Sequence, residues 1–304
     1  MSSSSRAGHR PSPARLRWRA GLQAYLLLLP AFAFLGVFVF WPVVYSLFLS
    51  TMRWKLGYSR RDFVFLGNYL RLFASPEFWN AMRNTVVYSG LMGVLSIALG
   101  LVLSLAIVSS RRLQSFWQAL FFLPVAATMA AMAVVWRFIF DTHFGVINAF
   151  LLRVGSRPVE WLSQDATAMG AVILVGIWSN AGYAMVFFIA GLSNIPRALY
   201  EAAAIDGAKN PRQFLSITWP LLTPTTLFIV IVMTVRALAS FDIVKVLTDG
   251  GPVGATQVLS HLLYQQAFQF FNTGYASGIA VVFFAVVLLL ALLQMSVEKW
   301  VHYQ

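Results

Sequence analysis

Arg236 stands inside the apolar stretch FIVIVMTVRALAS (228–240), and Asn180 inside a second one, GIWSNAGY (176–183), beside Ser179 and Tyr183. Side chains of these types can do recognition chemistry. A guanidinium can reach a phosphate, a sugar hydroxyl or a lipid headgroup, and an amide or phenol can bind hydroxyls. Polar groups at membrane depth are costly and therefore informative, so Asn180, Tyr183 and Arg236 are the candidate solute-contacting residues. A plain alternative stands beside each. Arg236 can snorkel to an interface, as can Arg137, which lies nearer the end of its stretch. Trp178 can stack on a sugar ring or simply pack.

Other chemistry is excluded. Cysteine is absent, so there is no disulfide framework, thiol nucleophile or Cys-type metal site. The four histidines, His9, His143, His261 and His302, are scattered and show no H-E-x-x-H spacing. No G-x-x-x-x-G-K-[ST] loop is present; GAKNP (207–211) has the Gly and the Lys but not the spacing. Neither a metal nor another cofactor is implied.

The elements that would position these residues follow from composition. Of 304 residues, 59% are hydrophobic and only 11% charged, against about 25% in a soluble domain. With a mean hydropathy of +0.74, the chain has more apolar surface than one globular core could hide. A helical span needs roughly 20 apolar residues to cross about 30 Å of hydrocarbon. Six stretches qualify, at about 22–50, 84–108, 116–140, 167–192, 221–243 and 275–297. Each can satisfy its backbone internally only as a helix, so the expected fold is an all-α polytopic membrane protein with six transmembrane helices. The expected organisation is a tail (1–21), a six-span domain (22–297) and a short C-terminal tail (298–304).

The net charge of +12 suits lipid headgroups better than nucleic acid, because most basic residues flank the spans. Arg15, Arg17 and Arg19 precede an apolar run too long for the core of a cleavable signal. With both termini inside, the inner segments carry eleven Lys/Arg and the longer outer loops nine. The denser side is expected to face the cytoplasm.

One inner segment is unlike the rest. NIPRALYEAAAIDG (194–207) has Asn194 as a possible cap, Pro196 suited to a first turn, an alanine-rich body, and Gly207 to close a helix in the left-handed conformation. Asn210 and Pro211 open a second short helix, which Pro220 is expected to end at the fifth span. The expected result is a helix–turn–helix on the membrane surface. Its alanine face would admit another protein's backbone, with Glu201 and Asp206 at the rim. An interfacial helix resting on headgroups is the alternative.

Glu201-Ala202-Ala203, Gly207, Ile217 and Pro220 resemble the EAA loop of the permeases of binding-protein-dependent ABC importers. That pattern is E-A-A, three residues, G, nine residues, I-x-L-P, and six of its seven fixed positions match; Trp219 stands where the family has Leu. FLGNYLRLF (65–73), FWNAMRNT (78–85), Leu123-Pro124, GVIN (145–148), IWSNAGYAMVFFIAGLSNIP (177–196), LTDGGP (247–252) and GYASGIA (274–280) are similar to the maltose- and glycerol-phosphate-permease branch.

The resemblance implies a transport subunit without its own nucleotide site, carrying a sugar or a glycerol-phosphate-type solute across a bacterial inner membrane. It implies that 194–220 is a coupling loop for a cytoplasmic ATPase dimer, through Glu201, Ala202, Ala203, Asp206, Gly207, Ile217 and Pro220. A second, homologous permease subunit and an extracytoplasmic substrate-binding protein are its implied partners. LTDGGPVGAT (247–256) has turn chemistry and would face outward, as a partner contact, a lid or a connector. A self-sufficient secondary transporter or channel is the competing class. It would be expected to show intramembrane acidic relays or internal repeats, and neither is evident. No constellation of side chains supports a membrane-embedded enzyme.

Overall fold

The computed structural model describes residues 25, 27–110 and 113–298. The tails, Arg111, Arg112 and Lys299, on which much of the charge count rests, lie outside the described residues.

Among the described residues the regular structure is helical apart from one two-stranded hairpin. α1 (Leu27–Ser50) leads to β1 (Met52–Arg53) and β2 (Asp62–Phe63), antiparallel with Met52 opposite Phe63. Then come α2 (Gly67–Phe73), α3 (Pro76–Ser109), α4 (Gln114–Ala126), α5 (Met129–Ile139), α6 (Val146–Arg153), α7 (Asp165–Ser193) and α8 (Arg197–Ile205). α9 (Asn210–Leu238), α10 (Phe241–Leu247), α11 (Leu259–Tyr264) with a wide turn at Gln265–Gln269, and α12 (Thr273–Glu298) complete the chain.

Five of these helices are long and apolar enough to cross a membrane, and α4 with α5 makes a sixth if the bent pair counts as one span. The all-α polytopic expectation therefore holds, with corrections that matter for function. The second span begins at Pro76 rather than 84, because Ser75 accepts a hydrogen bond from the Phe78 N–H and Pro76 fits a first turn. The third span is not one helix. Ala127 and Thr128 are extended, and α4 and α5 meet at 99°.

The fifth span was expected over 221–243. Its helix starts at Asn210, ends at Leu238, and is broken at Ala239 and Ser240 before α10. Pro220 does not end a helix. The wide π turn Phe214–Thr218, where the Trp219 N–H bonds to the Phe214 carbonyl, lies directly before it, and the helix runs on through the proline. The same construction, a π turn (Gly36–Phe40) followed by Trp41-Pro42, interrupts α1. Asn194 ends α7 instead of capping α8, and Pro196 occupies the position before α8's first turn.

α7 is the central helix: two-thirds of its apolar window is buried, against 28% for α3 and α9 and none of α1. Small residues let its neighbours approach closely, as in membrane helix packing. A Cβ on Gly176 would lie 2.8 Å from the Tyr88 hydroxyl of α3. One on Gly100 of α3 would lie 2.6 Å from the Ala184 Cβ, and one on Gly182 would run into the Phe121 carbonyl of α4. Ala184, Phe188, Ile195, Leu222, Ile229 and Met233 form the core between α7 and α9, while Tyr88, Met92, Val172, Ala237, Ile243 and Val244 form the core where α10 returns to the bundle.

Candidate functional site

The two broken spans meet at one place. A cavity of about 270 Å³ is lined by Pro124, Ala127 and Met129 at the α4–α5 bend and by Ala239, Ser240 and Asp242 at the α9–α10 break. Tyr88 of α3 and Ser179, Asn180 and Arg236 complete the wall. Irregular backbone at membrane depth is tolerated where it lines a cavity, so both breaks sit where their freed polar groups have somewhere to go.

Of the three candidate solute-contacting residues singled out from sequence, Asn180 and Arg236 line this cavity and Tyr183 packs against Arg236. Arg236 Nε donates to Asn180 Oδ1 at 2.6 Å, and the guanidinium lies 4.8 Å from the centre of the Tyr183 ring. Asn180 is the buried midpoint of α7, and its amide nitrogen is spent on the Gly176 carbonyl (2.8 Å) and on Ser179 Oγ (3.0 Å). It therefore orients the guanidinium more than it offers donors of its own. Arg236 is turned toward the middle of α7, not toward the outer interface that a count along an unbroken fifth span places it near. Arg137 sits exposed in the last turn of α5, away from this cavity. Trp178 packs edge-on against Trp136 at 5.4 Å and lines a neighbouring, almost wholly apolar cavity of about 680 Å³.

Asp242, Ser240 and Tyr88 escaped the sequence reading. Asp242 falls at the very end of the apolar stretch 221–243. The signal that could have found it is its position just past an Ala-Ser pair, where the helix can break.

The surface loop is built from α8 and the base of α9. Gly207 has φ +76°, the left-handed conformation expected of it, and its N–H bonds to the Ala204 carbonyl while that of Ala208 bonds to the Ala203 carbonyl. Tyr200 OH pairs with Thr218 Oγ1 at 2.8 Å, and Gln213 Nε2 donates to the Ala208 carbonyl, so the turn is tied to the span. Glu201, Ala202, Asp206 and Gly207 are exposed, Ala203 is half-buried, Ile217 packs among Ile195 and Leu222, and Pro220 is exposed on the helix. Ile205, at the tip, is 87% exposed, a large apolar side chain that the alanine-face reading overlooked.

The LTDGGP segment is anchored instead of dangling. Asn80 and Asn84 donate to the Gly254 carbonyl, and Asn84 also to that of Gln257. Asp249, at φ +50°, accepts from Lys245 Nζ at 2.6 Å and faces His261 Nε2 at 3.0 Å. The Lys245 ammonium holds the Asp249 carboxyl below its usual range. The His261 side chain is wholly buried, and burial pushes its pKa below the ordinary value although Asp249 opposes this. His261 Nδ1 has no partner among the described residues. Val253, at the tip, is 97% exposed.

Over residues 22–303 the sequence matches the family described as "Binding-protein-dependent transport system inner membrane component". It is 36% identical over 281 residues to the sn-glycerol-3-phosphate transport system permease protein UgpA of Brucella abortus, covering 92% of this chain and 96% of that protein. It is 34% identical over 292 residues to the trehalose/maltose transport system permease protein MalF of Thermococcus litoralis, covering 94% and 97%. Among solved structures, a chain of a bacterial ABC transporter involved in the import of the acidic polysaccharide alginate superposes with a TM-score of 0.82 at 22% identity, over 94% of this chain and 98% of that one.

Proposed function

The chain belongs to the family of binding-protein-dependent transport system inner membrane components, and from that premise we propose that the cavity beside Arg236 is its half of a solute pathway and that the loop around Gly207 is the seat of a separate ATPase. The protein is the permease subunit of an ABC importer. The observation that carries the pathway assignment is the meeting of two interrupted helices at one polar cavity, with a guanidinium held there by Asn180 and Tyr183.

Several features support the finer points. The sequence holds no phosphate-cradling loop, which favours a nucleotide site on another chain. The exposed face of α8, with Ile205 at its tip and Glu201 and Asp206 beside it, offers an apolar anchor inside a charged rim, the make-up of a docking surface. A second permease subunit would supply the other wall of the pathway, and an extracytoplasmic binding protein would deliver the solute. In this reading both termini and the Gly207 loop face the cytoplasm, and Val253 faces outward. The relatives are named for sn-glycerol-3-phosphate and for trehalose and maltose, so the solute is proposed to be a sugar or a glycerol-phosphate-type compound.

The test is uptake by the complete importer in proteoliposomes, with this chain, its partner permease, the ATPase and the binding protein. Uptake is expected only with ATP and only with all four components. Uptake by this chain alone, driven by an ion gradient, would replace the reading with that of a secondary transporter.

A further inference from the structure

The cavity carries two opposite charges that do not pair. Arg236 and Asp242 both line it, yet no ion pair forms between them. The guanidinium is held elsewhere, by Asn180 through Nε and by the Tyr183 ring through its face. Its two terminal nitrogens carry no hydrogen bond among the described residues, and neither does the Asp242 carboxylate. A donor fork and an acceptor pair thus belong to two side chains that line one cavity, both exposed on this chain. Ser240 Oγ, on the same wall, donates to the Arg236 carbonyl.

The balance of charge decides what fits. The C-terminal end of α9 and the N-terminal end of α10 meet at the break with opposite partial charges and offset one another. Arg236 and Asp242 offset one another likewise. Both side chains are exposed on this chain, and a phosphate or carboxylate drawn to the Arg236 guanidinium meets the Asp242 carboxylate on the same wall, so the attraction is offset by repulsion. Vicinal hydroxyls fit better, because each can accept from the guanidinium and donate to the carboxylate. At about 270 Å³ the space is just below the roughly 300–1,000 Å³ of ordinary ligand pockets, so it suits one sugar ring or a small polyol at a time.

We propose that this cavity selects uncharged polyhydroxylated solutes, with Arg236 donating to and Asp242 accepting from adjacent hydroxyls, and that it discriminates against phosphorylated and carboxylated ones. This rests on the cavity being the solute pathway.

The experiment uses the complete reconstituted importer and reads solute-stimulated ATP hydrolysis and uptake. The panel is trehalose, maltose, glucose and glycerol against glucose phosphate, sn-glycerol-3-phosphate and galacturonate. Stimulation is expected from one or more uncharged members and from no anionic one. Uptake of the active solute is expected to fall about tenfold or more in Asp242→Asn and in Arg236→Gln, at equal yield of assembled complex, since each removes a charged hydrogen-bond partner. Stimulation by an anionic member, or by none of the uncharged ones, overturns the proposal. An anionic solute whose uptake rises in Asp242→Asn and collapses in Arg236→Gln leaves the pathway in place and overturns only its selectivity. Unchanged uptake in both variants, whatever the solute, removes the pathway reading itself.

Discussion

Arg236 Nε and Asn180 Oδ1 lie 2.6 Å apart and join α9 to the midpoint of α7 across 56 positions of sequence. Removing the amide leaves a guanidinium at depth with only an aromatic face for company. Asn180→Leu is therefore expected to lower solute uptake, with the complex recovered at wild-type yield, because the exposed guanidinium loses the hydrogen bond that orients its Nε, worth about 1 kcal/mol. Uptake kinetics of the reconstituted importer measure it. Wild-type uptake in Asn180→Leu would mean that Arg236 needs no tether.

Gly207 is left-handed at φ +76°, and a Cβ there meets nothing within 4 Å. Gly207→Val therefore acts through backbone geometry and not through a clash, at about 1 kcal/mol or more for a β-branched residue. The spans should insert normally, while the ATPase co-purifies poorly or hydrolyses ATP without uptake. Normal assembly and normal uptake would demote the loop to an interfacial helix.

The two exposed tips should lie on opposite sides of the membrane. In Lys209→Cys an impermeant maleimide is expected to label only from the cytoplasmic side, and in Val253→Cys only from outside. The reverse pattern inverts the topology.

The Asp249–His261 pair gives a pH dependence of definite sign. The folded pKa of His261 lies below its ordinary value of about 6.5, so the folded state binds fewer protons than the unfolded one below that pH, and stability falls as pH drops from about 6.5. Asp249, with a lowered pKa, adds a second loss as pH falls further through the carboxylate range. Melting temperatures of wild type and His261→Gln, compared from pH 8 to pH 5, should diverge on acidification, the variant losing less. Parallel curves would show that the His261 pKa is the same in the folded loop as in the unfolded chain.

Much of this architecture is visible in the chain itself. Six apolar runs declare six crossings, and Asn180, Tyr183 and Arg236 announce themselves because such residues are rare between Val, Ile and Phe. Their meeting is not visible, since it depends on how α9 crosses α7. The breaks at Ala127–Thr128 and Ala239–Ser240 are only weakly marked, by a Thr and a Ser beside alanines, and packing decides them, which is why Asp242 went unnoticed. The opposite error occurred at Pro220, where a strong breaker is present but the preceding π turn lets the helix continue. Gly207 was legible because its conformation is a local property of the residue.

The π turn at Phe214–Thr218 has a mechanical corollary. A widened turn followed one residue later by a proline without an N–H forms fewer axial bonds per unit length than the helix on either side, so bending stiffness is expected to be lowest there. Within this joint the Tyr200–Thr218 pair ties α8 to its last residue; above it, α9 is an ordinary rod as far as Leu238, with only Pro224 inside it. Were the surface loop displaced, flexure would be expected first at residues 214–220, with α9 pivoting above them and carrying Arg236 near its far end.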